Sequence, residues 1–263
     1  MTQLFSVTVA PNGARRNKKD HPALPLTAEE IANTAKACFD VGASAIHLHV
    51  RNKDGGHSLD AGRYLEAMAA VSDAAPKMRI QITTESAGIY DVATQYACLK
   101  NVRPAAASVS VKEMARDTEM AGSVYSFADE AEIDVQHILY SPEDVAQLKR
   151  WMSEGVISDR MNSVIFVLGR YEPAVLAKPS DLYQFLAATE GMDLKWAICA
   201  FGRNELVCAR AALQRGGDIR IGFENNIELP DGRLARDNTE TVTLAVAEGR
   251  SLGLCPAPSK KAA

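Results

Sequence analysis

The sequence predicts a single α/β domain, a (β/α)8 TIM barrel. Short apolar segments alternate with longer helical patterns along the 263 residues, and eight such strand–helix units can be counted. Strands separated by helices pair in parallel, and eight units in about 250 residues are typical of this barrel. We assign residues 1–255 to the barrel and 256–263 to a C-terminal tail. A doubly wound open sheet is the alternative, but no GxGxxG motif follows the first strand.

Each strand is predicted from a short apolar or alternating run, and each helix from a 3.6-residue repeat between start and stop signals. Thr27 and Glu30 predict a capping box for the first helix. Ser141 and Pro142 predict the start of the fifth. The predicted strands are 4–10, 45–51, 79–84, 105–111, 133–140, 163–168, 195–200 and 218–223. The predicted helices are 27–41, 60–75, 91–101, 118–131, 141–154, 179–189, 204–214 and 237–253.

The composition is that of an ordinary globular protein, with 47% hydrophobic and 24% charged residues. A net charge of −4 gives no basic footprint, so we expect neither a nucleic-acid nor a membrane partner. No apolar run approaches the roughly 18–20 residues that span a bilayer, and residues 1–4 lack the features of a signal peptide. The five cysteines show no CxxC spacing and indicate reduced thiols, so we expect a cytoplasmic protein.

A histidine pair on the second predicted strand is the strongest functional signal. Hydrophobic and polar residues alternate through residues 45–51, so His47, His49 and Arg51 project from one face. Two imidazoles side by side on a stiff strand suit a divalent transition metal such as Zn²⁺. The alternative is a pair of hydrogen-bonded interior histidines. Two ligands are too few for a metal site, so a third must come from elsewhere in the chain.

Polar residues collect at the carboxyl ends of the predicted strands, where barrel enzymes hold their active sites. Glu224 is the natural third metal ligand, because a His₂Glu set leaves positions open for substrate. Alternatively, Glu224 is a rim carboxylate paired with Arg220 or Arg203. Arg220 suits bidentate binding of a substrate carboxylate. The other rim candidates, of which the Ser and Thr residues also suit helix caps, are Asn12, Arg15, Thr83, Thr84, Glu85, Ser108, Ser110, His137, Tyr140, Arg170, Asn225 and Asn226.

Four stretches together resemble the β-keto acid cleavage enzyme family: Asn-Gly-Ala at 12–14, Leu-Pro-Leu-Thr at 24–27, His-Leu-His-Val-Arg at 47–51 and Arg-Ile-Gly-Phe-Glu-Asn-Asn at 220–226. The resemblance covers nearly the whole chain. It implies a Zn-dependent TIM barrel, typically a homotetramer, in which another divalent transition metal can replace zinc. It also implies an acyltransferase that condenses a β-keto acid with acetyl-CoA or another acyl-CoA, giving acetoacetate and a new CoA thioester by C–C cleavage.

The resemblance implies roles for single residues as well. His47, His49 and Glu224 bind the metal, and Arg220 serves substrate binding and catalysis. A Lewis acid at the keto oxygen agrees with this reaction, because it stabilises the negative charge that develops there. The expected substrate-binding residues are Arg15, Thr83, Ser108, Ser110 and Tyr140, of which Thr83 and Ser108 match positions that contact the substrate carboxylate and keto group.

One departure from the family concerns the catalytic base. The typical motif after the last strand reads Glu-Asp-Asn, and its Asp is the general base, whereas this chain has Glu224-Asn225-Asn226. An Asn side chain cannot accept a proton at neutral pH. Our hypothesis is that Glu85 or His137 supplies the base instead, with an exposed loop acid as the alternative interpretation of Glu85.

A second departure is Arg15. A family member with an aminated substrate has a glutamate at this place, facing the ammonium group. An arginine repels an ammonium group and attracts an anion, so we expect a substrate without the distal amine, such as one with a second carboxylate. The alternative is that Arg15 belongs to a basic loop, with Arg16, Lys18 and Lys19, that faces solvent or CoA phosphates.

The leading functional hypothesis is therefore an acyl-CoA-dependent β-keto acid cleavage enzyme. A Zn-dependent lyase or hydrolase on the same barrel, without CoA chemistry, is the second hypothesis. The third is a non-catalytic binder of a metal or metabolite. The catalytic hypotheses require an open metal position and a group that can take a proton, whereas a binder needs neither.

Overall fold

The protein forms the predicted (β/α)8 barrel. The structure is a computed structural model that describes residues 3–258. The strands within this range are β1 Leu4–Phe5, β2 Val7–Val9, β3 Ala45–Leu48, β4 Val50–Arg51, β5 His57–Ser58, β6 Arg79–Thr83, β7 Ala106–Ser110, β8 Asp134–Leu139, β9 Ser163–Leu168, β10 Lys195–Ala200, β11 Asp218–Ile221 and β12 Cys255–Pro256. Eight of them close into a parallel barrel in the order β10, β11, β2, β3, β6, β7, β8, β9.

Helices connect the barrel strands. Within the described range they are α1 Ala28–Asp40, α2 Ala61–Ala74, α3 Val92–Val102, α4 Val111–Met114, α5 Thr118–Glu130, α6 Pro142–Ser153, α7 Leu182–Ala188, α8 Glu205–Leu213 and α9 Asn238–Ser251, with a 3-10 turn at Pro179–Asp181. The capping box of Thr27 and Glu30 before α1 is confirmed. Pro142 opens α6 as predicted, although the Ser141 hydroxyl makes no capping hydrogen bond. No helix of residues 3–258 combines the length and hydrophobicity needed to cross a bilayer.

The strand predicted at residues 45–51 is wrong in one respect, because two strands occupy it. β3 ends at Leu48, and β4 then leaves the barrel to pair antiparallel with β5. Asn52 fixes the turn of this hairpin, since its Oδ1 accepts hydrogen bonds from two backbone N–H groups of the turn. Arg51 therefore belongs to the hairpin and does not extend the barrel face that carries His47.

The two ends of the described chain lie together. β1 and β12 form a two-stranded parallel sheet in which Leu4 is opposite Cys255 and Phe5 is opposite Pro256. The predicted tail therefore begins within a paired strand, and its last five residues, 259–263, lie outside the described residues. The division of the chain at residue 255 stays a prediction.

Apolar side chains fill both faces of the barrel wall. A large cluster lies between strands and helices and includes the fully buried rings of Tyr64, Phe166 and Phe185. A smaller cluster fills part of the barrel interior, from Ile138, Ile165, Val167, Ala197 and Cys199. Successive residues of a strand point to opposite faces, so the same strands serve both clusters. The barrel is thus a packed body, and space for chemistry remains at its rim.

The capping box gives a stability prediction. Replacing Thr27 with Ala removes the side-chain acceptor for Glu30 N and should lower the free energy of unfolding by about 1 kcal/mol. Thr243→Ala is the control, because Thr243 is exposed within α9 and its hydroxyl bonds only the Thr239 carbonyl. That variant should stay within about 0.5 kcal/mol of the wild type in urea unfolding. Equal losses in the two variants would contradict the assignment.

Candidate active site

Three side chains converge at the carboxyl rim of the barrel, as the sequence predicts. His47 lies near the end of β3, His49 follows β3 directly, and Glu224 lies just after β11. The Nε2 atoms of the two histidines are 3.2 Å apart, and each lies 3.6 Å from Oε2 of Glu224. Both histidines are fully buried and the Glu224 side chain is 11% exposed. Two nitrogens and one oxygen therefore share one small, nearly dry space.

The spacing of these atoms fits a divalent metal. Ligand bonds of 2.0–2.2 Å in a tetrahedral site place the ligand atoms roughly 3.3–3.6 Å from one another. Two of the observed separations, both 3.6 Å, lie within that range, and the third, 3.2 Å, lies just below it. Oε2 of Glu224 is buried without a hydrogen-bond donor among residues 3–258. A cation between the three atoms would satisfy Oε2, which is costly to leave unpaired.

Neighbouring groups hold the ligands in place. His47 and Gln81 are register partners on β3 and β6, and His47 Nδ1 lies 2.8 Å from Gln81 Oε1. An amide oxygen only accepts, so Nδ1 carries the proton and the Nε2 lone pair faces the cluster. The Glu224 backbone N–H donates to the Ala10 carbonyl at 3.0 Å. Gly13 takes a φ of +62°, and a Cβ there would lie 2.5 Å from Glu224 Cγ, so only glycine lets the two loops pack.

The electrostatics also suit metal ligands. Burial lowers the pKa of His47 and of His49 to about 4, so both imidazoles are neutral at pH 7. Burial alone would raise the pKa of Glu224, but Arg220 and the two histidines outweigh it and hold that pKa well below its usual range. Neutral imidazoles and an ionised carboxylate are the forms that bind metals.

Arg220 lies beside the cluster with part of its guanidinium uncommitted. Its Nη2 donates to Oε1 of Glu224 and to Sγ of Cys199, each at 3.3 Å. Its Nε and Nη1 are buried without acceptors among the described residues. A buried guanidinium with free donors is suited to bind a planar carboxylate through two hydrogen bonds.

A cavity of about 820 Å³ opens above these residues. Seven of the predicted rim residues line it, namely Asn12, Arg15, Glu85, Tyr140, Arg170, Arg220 and Glu224. Three further cations also line it, Arg16, Lys112 and Arg116. The ring of Tyr171 lies under the guanidinium groups of Arg15 and Arg16. A cavity of this size holds a small organic acid together with the end of a larger molecule.

Glu85 is a cavity residue and not an exposed loop acid. Its side chain is 14% exposed, its Oε1 pairs with Arg15 Nη1 at 2.8 Å, and its Oε2 lies 3.9 Å from His49 Nε2. The Glu85 backbone N–H donates to Thr83 Oγ1 at 3.0 Å, which fixes the start of the loop that carries it. A carboxylate is therefore present close to the place where a substrate would meet the metal ligands.

Three predicted substrate-binding residues lie deeper than the cavity lining. Thr83 and Ser108 are fully buried register partners whose hydroxyl groups are 3.4 Å apart. Ser110 caps α4, because its Oγ accepts from Glu113 N at 3.2 Å. Their roles toward a substrate stay predictions, and for Ser110 the capping role accounts for its position.

The cavity lining does not include Asn225, which stands at the place of the family's Asp, or His137, the second candidate for the base. Asn225 is fully buried, and neither Oδ1 nor Nδ2 has a hydrogen-bond partner among residues 3–258. The side chain of His137, on β8, points outward from the barrel. Its Nε2 lies 3.0 Å from the Met161 carbonyl, and its ring contacts Tyr125. The hypothesis of His137 as the base is therefore wrong, because strand alternation places it on the helix-facing side.

Sequence reasoning missed three residues that support the site. Gln81 orients His47, and the polar pattern of β6, with Gln81 and Thr83 on one face, was the available signal. His57 approaches His49 to a ring-centroid distance of 5.2 Å, which only the unpredicted hairpin explains. Glu205, at the start of α8, is buried and accepts a hydrogen bond from Gly222 N at 3.1 Å, and it had no sequence signal.

Fold and geometry together define a barrel protein with a candidate catalytic metal centre at its carboxyl rim. The model of the family described as beta-keto acid cleavage enzyme matches residues 5–263, so this chain belongs to that family and the resemblance in its motifs is confirmed.

Characterised relatives and solved structures agree with this assignment. The 3-keto-5-aminohexanoate cleavage enzyme of Fusobacterium nucleatum is 28% identical over 260 residues, covering 96% of this chain and 94% of the relative. The 3-oxoadipate:acetyl-CoA acetyltransferase of Cupriavidus necator is 27% identical over 259 residues, covering 94% and 89%. A ternary complex of ObcA with a C4-CoA adduct and oxalate has a TM-score of 0.70 at 16% identity, covering 91% of this chain and 66% of that chain. This last likeness supports the fold alone.

Glu205 generates a prediction about pH. Burial raises its pKa from 4.5 to about 8, so the folded protein holds a proton that the unfolded chain releases above pH 4.5. Stability should therefore fall as pH rises from about 4.5 to 8, by at most about 1.4 kcal/mol per pH unit from this group. Glu205→Gln keeps the acceptor for Gly222 N and should flatten that slope in denaturant unfolding between these pH values. An unchanged slope would show that Glu205 does not titrate in this window.

Proposed function

We propose that this protein is a divalent-metal-dependent enzyme, with zinc as the metal, that condenses a β-keto acid with acetyl-CoA or another acyl-CoA. The products are acetoacetate and a new CoA thioester. The observation that carries the proposal is the convergence of His47, His49 and Glu224 beside the uncommitted donors of Arg220, where Glu224 and Arg220 also line the cavity. A binder needs the ligands but not the neighbouring carboxylate of Glu85.

The bound metal would supply a Lewis acid that stabilises negative charge at the keto oxygen of the substrate. Arg220 holds the substrate carboxylate through its guanidinium group, of which Nε and Nη1 bond no other described residue. This contact places the carbon between carboxylate and keto group above the metal ligands, within reach of Glu85. Glu85 takes a proton from that carbon, and the carbanion attacks the thioester carbonyl and displaces the CoA thiolate. The thiolate then attacks the keto carbon of the substrate and breaks its bond to the same carbon, which forms the new CoA thioester. Glu85 returns its proton to the released carbanion, which gives acetoacetate.

Arg15, the ion-pair partner of Glu85, has two roles in this proposal. Its contact at 2.8 Å keeps Glu85 beside the ligands, and its positive charge favours an anionic substrate end. The name of the Cupriavidus necator relative, which acts on 3-oxoadipate, supports a substrate with a second carboxylate. Tyr140 borders the same space and is proposed as a substrate contact, together with Thr83 and Ser108 below it.

The cellular location, the oligomeric state and the domain boundary of the enzyme are also proposals. A cytoplasmic location is supported by the five cysteines, which are all free thiols in the described structure and of which four are buried. A homotetramer and a single catalytic domain at residues 1–255 are supported by the family resemblance in the sequence.

An acetoacetate assay with a panel of β-keto acids tests the function. We expect acetoacetate from a β-keto acid plus acetyl-CoA, loss of at least 90% of the rate after chelation, and recovery on adding Zn²⁺. Activity should depend on the metal because none of the three ligand side chains can itself act as the Lewis acid. Full activity of the metal-free protein would contradict the proposal, and metal binding without any turnover on the panel would favour a binder.

The kinetics of Glu85→Gln test the base. Gln keeps the size and a hydrogen bond to Arg15 but accepts no proton, so kcat should fall roughly 10²–10⁴-fold while metal content stays the same. Glu143→Gln is the control, because Glu143 also lines the cavity but makes no contact with the metal ligands. A kcat within a few-fold of the wild type for Glu85→Gln would exclude Glu85 as the base.

Substrate preference tests Arg15. Arg15→Gln should lower kcat/KM for a dicarboxylic β-keto acid about 10-fold or more, because it removes a charge-assisted hydrogen bond, and should affect a monocarboxylic one less. Arg170→Gln is the matched control, since Arg170 lines the same cavity and its Nε bonds only the Pro173 carbonyl. If aminated β-keto acids are the best substrates of the wild type, the assignment of Arg15 is wrong.

A further inference from the structure

His57 is a buried histidine next to the metal ligands that the proposed mechanism does not use. The β4–β5 hairpin brings its ring to a centroid distance of 5.2 Å from the ring of His49, at an angle of 52°. Both rings are buried, at 4% and 0% exposure. The Tyr90 hydroxyl donates to the His57 carbonyl at 3.1 Å, so the position of the hairpin end is fixed.

His49 has an unsatisfied donor on the side away from the cluster. Its Nε2 faces Glu224 and His47, at 3.6 and 3.2 Å, and must offer a lone pair there to bind a cation. The proton of the neutral ring then resides on Nδ1. Nδ1 is buried and has no acceptor among residues 3–258. The other ligand differs, because His47 Nδ1 already donates to Gln81.

His57 has an unsatisfied acceptor. Its Nε2 lies 2.8 Å from the Glu85 carbonyl, which can only accept, so Nε2 carries the proton. The other nitrogen of the neutral ring, Nδ1, then carries a lone pair. That Nδ1 is buried without a donor among the described residues. Two adjacent rings thus present one donor and one acceptor that complement each other.

We infer that His57 is a positioning residue that accepts a hydrogen bond from Nδ1–H of His49 when the metal is bound. A centroid separation of 5.2 Å leaves room for this bond after a small rotation of either ring. The bond would link His49, through His57, to the backbone of Glu85, so that one chain of contacts positions a metal ligand and the proposed base. The inference rests on the proposed metal centre and adds the group that orients its second histidine.

A buried ring nitrogen without a hydrogen-bond partner would not by itself support this inference. His137 Nδ1 is also buried without a partner, yet no histidine lies beside it and its ring contacts Tyr125 at 5.6 Å. His57 differs from His137 because the neighbouring ligand, His49, offers a donor nitrogen for the free acceptor nitrogen of His57. His137 is therefore a matched control, since its Nε2 likewise bonds a backbone carbonyl, that of Met161.

The test measures Co²⁺ binding to the metal-free full-length protein, by its visible absorption and by competition with a chromogenic chelator. His57→Phe keeps the ring packing and removes the acceptor, so it should bind Co²⁺ 10–100-fold more weakly. His57→Asn offers an amide oxygen near the position of Nδ1 and should recover affinity to within about threefold, but not kcat, because the Glu85 carbonyl loses its donor. His137→Phe should bind Co²⁺ within about threefold of the wild type.

Thermal unfolding of the metal-free variants shows whether each is folded. Wild-type affinity in His57→Phe, or an equal loss in His137→Phe, would overturn the inference. If His57→Phe does not fold, His57→Leu takes its place, because Leu also removes the acceptor, and wild-type affinity in that variant would overturn the inference. A wild type that does not bind one equivalent of Co²⁺ would instead refute the metal centre of the proposed function.

Discussion

The interaction on which the site depends is the close approach of His47, His49 and Glu224. Two imidazole nitrogens 3.2 Å apart cannot both be donors to each other, and a carboxylate oxygen at 3.6 Å from each is left without a donor. A buried polar atom without a partner costs about 1–3 kcal/mol. A cation at the centre would remove this cost, and in the proposed function the same cation would supply the Lewis acid.

Barrel topology makes this approach possible. β11, β2 and β3 are neighbours, so Glu224 and His47 meet although they are far apart in the chain. Arg220 then compensates the charge of Glu224, and its Nε and Nη1 are buried without acceptors among the described residues. The ion pair of Arg15 and Glu85 lines the same cavity as Arg220 and Glu224. Charges of both signs therefore lie together at this rim.

Much of this arrangement was predictable from the sequence. Strand–helix alternation predicted the barrel, and the His-x-His pattern on a strand, with Glu224 at a rim, predicted the cluster, because a strand's period of two and parallel pairing fix which side chains share a place. The loops were not predictable in the same way. His57 reaches His49 only because Asn52 turns the chain back into a hairpin, and no periodicity signals that turn. His137 was misplaced because strand register decides which face it occupies, and a one-residue shift reverses the answer.

The catalytic base shows the same limit. The motif resemblance indicates that Asn225 stands where the family typically has its aspartate, but only the structure places Glu85 3.9 Å from His49 with Arg15 beside it. The central claim is that the three side chains hold a divalent metal. Anomalous diffraction at the zinc edge from crystals of the purified protein tests it most directly. The account predicts one peak about 2.0–2.2 Å from His47 Nε2, His49 Nε2 and Oε2 of Glu224. A crystal with zinc supplied and no peak at these atoms, or a peak elsewhere only, would contradict it.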